Sequence, residues 1–147
     1  MTEPAPRDDP APGRPSRILV VDDEPGISEV LSDILSATGY EVDTAADGLI
    51  ALDKLAHGTY DAILSDVHMP ELDGIGLYRA VEARYPDMVG CFILVTGSAL
   101  TPEAQAFITD VRIEVVAKPF DLITVVRTVK RILEARAGSA PGQAGPG

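Results

Sequence analysis

The sequence contains a single cysteine, Cys91, so no disulfide can form within the chain, and the protein reads as cytoplasmic. No apolar run approaches the roughly 20 residues that a membrane-spanning helix needs. The opening residues, MTEPAPRDDP, lack the apolar core of a secretory leader, so none is expected. Positive charge is also scarce: 12 Lys and Arg face 23 Asp and Glu, a formal net charge of −11. Nucleic acid and anionic membrane both attract basic surfaces, so neither is expected as a partner. There is no internal repeat. No glycine-rich phosphate loop follows the first apolar run, where VDDEPG stands instead, and this excludes a nucleotide-binding reading.

What is present suits one globular domain. The chain has 147 residues, 46% hydrophobic and 24% charged, enough for a single core. Pro4, Pro6, Pro10, Pro12 and Pro15 make residues 1–15 an extended or disordered tail. From Ala137 the sequence AGSAPGQAGPG lacks periodic apolar residues and reads as a second, flexible tail. The folded part is expected over 16–136.

Inside it, strand-like runs alternate with helical patterns. Strands are expected at 17–21, 41–45, 62–65, 91–96 and 113–117. Ile27, Val30, Leu31, Ile34 and Leu35 fall at helical spacing, as do Leu49, Leu52 and Leu55. Leu77 and Val81 mark a third helix, and Ala104, Phe107 and Ile108 a fourth. The fifth carries Leu122, Val125, Val126, Val129, Ile132 and Leu133. Pro25 suits the first turn of the first helix, Gly39 its end, and Thr101-Pro102 the start of the fourth. Five alternations of strand and helix imply an α/β fold, an open, parallel, doubly wound sheet with helices on both faces. Near the C-terminus Arg127, Lys130, Arg131 and Arg136 outnumber Asp121 and Glu134. They complement the negative end of the last helix or, less favoured, form a basic patch for a partner.

Ligands of such sheets bind beyond the carboxyl ends of the strands, where strand order reverses. The first strand ends at Asp22-Asp23, the third at Asp66, the fourth at Thr96 and the fifth at Lys118. If the order is 2-1-3-4-5, these residues share one concavity. Two like charges about 4 Å apart repel by about 1 kcal/mol in water and about 4 kcal/mol at a protein surface. One lysine offsets three carboxylates poorly, whereas Mg²⁺ accepts carboxylates and still has room for phosphate oxygens. A carboxylate beside a metal, a hydroxyl and a lysine can act as a nucleophile on phosphorus and form an aspartyl phosphate.

Four motifs occur in order: VDDEP at 21–25, SDVHMPELDG at 65–74, VTGS at 95–98 and AKPF at 117–120. On these the sequence resembles the receiver domain of two-component response regulators across residues 17–136. The resemblance implies a five-stranded, flavodoxin-like (βα)5 fold with Asp66 as phosphoacceptor. It implies Mg²⁺ held by Asp23, Asp66 and the backbone carbonyl of His68, with Asp22 acting through water. Thr96 and Lys118 would contact the phosphoryl group, and the Lys118–Pro119 peptide could be cis at a cost of about 0.5–1 kcal/mol. The implied phosphoryl donor is a sensor histidine kinase or a histidine phosphotransfer protein. With only a short tail after the last helix, output is expected as a protein contact through the fourth helix, fifth strand and fifth helix, or as phosphate passed on in a phosphorelay. The same face is available for homodimerisation.

Two positions depart from the family pattern. Val115 stands where receivers carry an aromatic residue three before the lysine, so a smaller readout, or one through the backbone of the loop after the fourth strand, is expected. His68 stands beside the path of the hydrolytic water; its side chain could gate phosphate loss, though an exposed side chain with a working backbone is the favoured reading. Gly97 is conservative, a small residue that leaves room for the phosphoryl group. An aspartate-dependent phosphatase of the haloacid-dehalogenase type wants an acid two residues after its nucleophile, and here that residue is His68. A scaffold that has lost the chemistry is disfavoured because all five site residues are present. His57 reads as a helix cap, and Cys91, Phe92, Phe107 and Phe120 as core.

Overall fold

A buried strand must satisfy its backbone along both edges, and three of these five do so in the middle of one sheet. In the computed structural model, which describes residues 15–97, 100–118 and 121–138, the strands are β1 (Arg17–Val21), β2 (Glu41–Ala45), β3 (Ala62–Asp66), β4 (Phe92–Thr96) and β5 (Glu114–Ala117). All pair in parallel, in the order β2-β1-β3-β4-β5 expected from the sequence. From Ile18 to Val21 in β1, and throughout β3 and β4, every residue is buried. The edge strands β2 and β5 are only partly covered and carry Glu41, Asp43 and Glu114. The helices are α1 (Pro25–Thr38), α2 (Gly48–His57), α3 (Gly74–Arg84), α4 (Pro102–Val111) and α5 (Leu122–Gly138). α1 packs with α5, and α2 with α3.

The helix ends follow their local chemistry. Pro25 opens α1, and Gly39 closes it in the left-handed region at φ 113°, its N–H donating to Leu35 and Ser36 carbonyls. Thr101 caps α4, its hydroxyl accepting from Ala104 N at 3.1 Å. Asp47 and Asp73 do the same for α2 and α3. The core joins Leu31 and Leu35 of α1, Leu52 and Leu55 of α2, Leu77 and Val81 of α3, and Val125 and Val129 of α5 to the sheet. α4 is held more lightly: Ile108 is buried, and Phe107 lies edge-on to Tyr78 and under the Arg79 guanidinium.

Two strand starts differ from the sequence expectation by one residue. Cys91 ends a 3-10 turn, Pro86–Cys91, in which its thiol contacts the Met88 carbonyl, so β4 begins at Phe92. Ile113 still donates to Ile108 of α4 across the left-handed residue Arg112, so β5 begins at Glu114. At the carboxyl end, β3 extends one residue past the expected 62–65 and includes Asp66. Phe92 is buried, whereas Phe107 is only partly so. Most of the two expected tails, Pro119 and Phe120 all lie outside the described residues; α5 runs to Gly138, past the expected boundary at 136.

The amino ends of the strands are knotted by Arg17. Its guanidinium meets Asp43 at 2.8 Å and Glu41 at 3.5 Å and stacks on Tyr60, and its N–H donates to Asp61. The Tyr60 hydroxyl donates to Asp43. Burial first, then this bond to a carboxylate, push the phenol from 10.0 up to about 12. A raised folded-state value means that the contribution is whole below about pH 10 and is lost as pH rises towards about 12. Tyr60→Phe is therefore expected to cost about 1 kcal/mol in urea unfolding at pH 8, with the difference shrinking as pH rises through that window.

Candidate functional site

Each carboxyl end contributes one kind of group. Asp22 directly follows β1, where its N–H donates to the Ala45 carbonyl of β2 at 3.0 Å, and its Oδ1 accepts from Glu24 N at 2.9 Å. Asp66 is the last residue of β3, and its Oδ1 accepts from Val67 N at 2.9 Å. Asp22 and Asp66 are buried and Asp23 is exposed. One carboxylate oxygen from each of the three lies within 4.8 Å of the others.

Lys118, just past β5, reaches into this cluster. Its Nζ lies 3.4 Å from Asp66 Oδ1, 3.6 Å from Asp22 Oδ2 and 3.8 Å from Glu24 Oε1. Its backbone is tied to β4 by a 2.7 Å bond from Lys118 N to the Thr96 carbonyl. Thr96 Oγ1 is buried and has no hydrogen-bond partner among the described residues. A buried hydroxyl left so is costly, and it marks a donor held for something else.

Electrostatics decide what the neighbouring carboxylates can hold. Burial raises the Asp22 carboxyl above its ordinary value; the Glu24 N–H opposes this, and the Asp66 charge pushes it further up. Burial alone would lower the Lys118 ammonium, but Asp22, Asp66 and Glu24 outweigh it and keep the lysine charged. Three carboxylates against one ammonium leave a negative excess in a space one ion wide. Hard oxygen donors at that spacing fit a divalent cation such as Mg²⁺.

Two glycines let backbones close around the site. A side chain at Gly74 would overlap the Asp66 carbonyl oxygen, and a Cβ at Gly97 would stand 2.6 Å from Lys118 Cβ. The residues expected from the sequence thus fall as follows. Asp22, Asp23, Asp66 and Lys118 come together, Thr96 is bonded to Lys118, and the His68 side chain is exposed two residues beyond Asp66. His57 stays on α2, with Nδ1 2.8 Å from the Asp53 carbonyl. Ser98, the end of the third motif, lies outside the described residues. Sequence reasoning missed Glu24. Its signal was there, as the third acid of the run that ends β1.

Comparison with known proteins shows the family. Residues 18–130 match the family model described as response regulator receiver domain. Response regulator MprA of Mycobacterium sp. (strain KMS) is 34% identical over 119 residues, covering 81% of this chain and 51% of that protein. Sensor kinase CckA of Brucella abortus (strain 2308) is 36% identical over 80% of this chain, which spans 12% of the kinase. The chain thus spans about half the length of MprA, and far less of the kinase. A CheY-like receiver domain protein from Methanospirillum hungatei JF-1 has a TM-score of 0.79 at 27% identity, covering 86% of this chain and all of that one. Response regulator TrrA from Thermotoga maritima, solved in complex with Mg(2+)-BeF, has a TM-score of 0.68 at 34% identity, covering 80% of this chain and 98% of that one.

Removing one buried charge from the cluster should relieve repulsion. In EDTA, Asp22→Asn is expected to raise the unfolding free energy by about 1 kcal/mol. Added Mg²⁺ is expected to stabilise wild type and to stabilise the variant less, as read by urea titration.

Proposed function

Because this chain belongs to the response regulator receiver domain family, we propose that Asp66 accepts a phosphoryl group and that the domain signals in that state. The observation that carries the reading is the buried Asp66 carboxylate, ion-paired to Lys118 and clustered with Asp22 and Asp23. One Asp66 oxygen is bonded by Val67 N and Lys118, and the other has no hydrogen-bond donor among the described residues. That free oxygen attacks phosphorus. A phosphorus–oxygen bond forms to Asp66, and the bond from phosphorus to the donor's leaving atom breaks, its electron pair departing with the leaving group.

Asp23, Asp66 and the His68 backbone carbonyl would hold Mg²⁺, with Asp22 acting through water, and the bound ion would supply positive charge to the transferring oxygens. Lys118 turns its ammonium from Asp66 to a phosphoryl oxygen, and the Thr96 hydroxyl donates a hydrogen bond to another. Because Lys118 N is bonded to the Thr96 carbonyl, the shift of either residue pulls on the loop after β4. Val115 is 37% exposed and too small for a large rotation, so the readout runs through that loop's backbone.

The phosphoryl donor is a histidine kinase or histidine phosphotransfer protein in the cytoplasm; sensor kinases are among the relatives. Output is a protein contact across α4, β5 and α5, where Val115 and Ile123 stand exposed, or onward phosphate transfer, and two copies could pair through the same face. Arg131 serves that face less as a free cation than as an anchor, since it pairs with Glu114 at 2.7 Å. No helix among the described residues is long and apolar enough to cross a membrane.

Incubation with acetyl phosphate and Mg²⁺ is expected to give one phosphoryl adduct by intact-mass spectrometry. The adduct should vanish in Asp66→Asn and without Mg²⁺, and form roughly 10²-fold more slowly in Lys118→Met. An adduct that persists in Asp66→Asn would sink the reading.

A further inference from the structure

Glu24 occupies an unusual place for its residue type. It is the N-cap of α1, yet its side chain makes no capping bond. Pro25 behind it disfavours helical backbone, and Glu24 is extended, at φ −99° and ψ 110°. Its N–H is fixed to Asp22 Oδ1 at 2.9 Å, and its carbonyl accepts from Ile27 N and Ser28 N at 3.0 and 3.1 Å. With the backbone held on both sides, the carboxylate reaches Lys118 Nζ at 3.8 Å. The other two carboxylates on that ammonium are buried, whereas the Glu24 side chain is 65% exposed. The acid therefore stands on the solvent side of Lys118.

We propose that Glu24 is a specificity residue that selects phosphodonors by charge, disfavouring dianionic small acyl phosphates relative to donors whose leaving group carries compensating positive charge. The inference rests on Asp66 as the phosphoacceptor. A donor entering from solvent passes the Glu24 carboxylate. When Lys118 turns to the incoming phosphoryl group, Glu24 loses its counter-ion next to a second anion. The repulsion grows with the net charge of the donor and is weakened by salt. Acetyl phosphate transfers its group by breaking a phosphorus–oxygen bond and releasing acetate. Phosphoramidate breaks a phosphorus–nitrogen bond, and its protonated nitrogen leaves as ammonia. Both give the same Asp66 adduct, so the change in their rate ratio from wild type to variant cancels their different intrinsic reactivities and reads the donor's charge.

The test is the rate of adduct formation at saturating Mg²⁺ with each donor, for wild type, Glu24→Gln, Glu24→Lys and Asp66→Asn. Glu24→Gln is expected to speed labelling by acetyl phosphate about fivefold, the scale of one screened charge pair, and by phosphoramidate less than about twofold. Glu24→Lys should move the ratio further the same way. In wild type the ratio of the acetyl phosphate rate to the phosphoramidate rate should rise with salt, and in Glu24→Gln it should be nearly flat. A merely structural role would change both donors alike and leave the salt dependence intact. An Asp66-dependent adduct with an unchanged donor ratio in Glu24→Gln and Glu24→Lys overturns this inference alone. The absence of any Asp66-dependent adduct from either donor overturns the phosphoacceptor reading and this one with it.

Discussion

The repulsion among Asp22, Asp23 and Asp66 is the constraint around which this domain is arranged. Two of the three carboxylates are buried, and their oxygens crowd into a few ångströms with a single lysine for relief. A fold built for stability alone would not end two adjacent central strands on acids. The pairing of β1 with β3 brings them together, and the parallel order makes that meeting unavoidable. The site is poised because the sheet forces charges together that only a cation can reconcile.

Around that stress the backbone is unusually close. Gly74 lets α3 start against the Asp66 carbonyl, and Gly97 lets the chain after β4 touch the Lys118 side chain. The bond from Lys118 N to the Thr96 carbonyl joins β5 to β4 at the same level. Hydroxyl and ammonium are therefore positioned at the carboxyl ends of two adjacent, hydrogen-bonded strands. α4, which follows β4 in the chain, is also the helix with little buried beyond Ile108.

The fold was legible because its signals are periodic. The runs at 18–21 and 62–64 are apolar on both faces, the pattern of central strands, and the helical spacings from Ile27 to Leu35 and from Leu122 to Leu133 are long. The site was legible because strand ends in a parallel sheet converge, so reading the residue after each strand finds Asp22, Asp66, Thr96 and Lys118. What escaped has physical causes. Cys91 looks like strand from hydrophobicity, but Pro86 five residues earlier starts a 3-10 turn that consumes it. The Arg17 knot joins residues 26 and 44 positions apart through register, which single-sequence periodicity does not carry. Glu24 was visible as an acid, but its direction is set by a bond to Asp22 and its contact with Lys118, 94 positions on, by the sheet, both three-dimensional facts.

The edges of the sheet carry a last consequence. β2 places Glu41 and Asp43 along one margin, both engaged by Arg17, and β5 is four residues long with Glu114 clasped by Arg131 of α5. Charged, short margins do not template another strand. Encounters with other proteins are thereby steered away from backbone zippering and onto side chains displayed by helices and loops. Such surfaces can change partners by a few substitutions while the hydrogen-bonded frame beneath them stays the same.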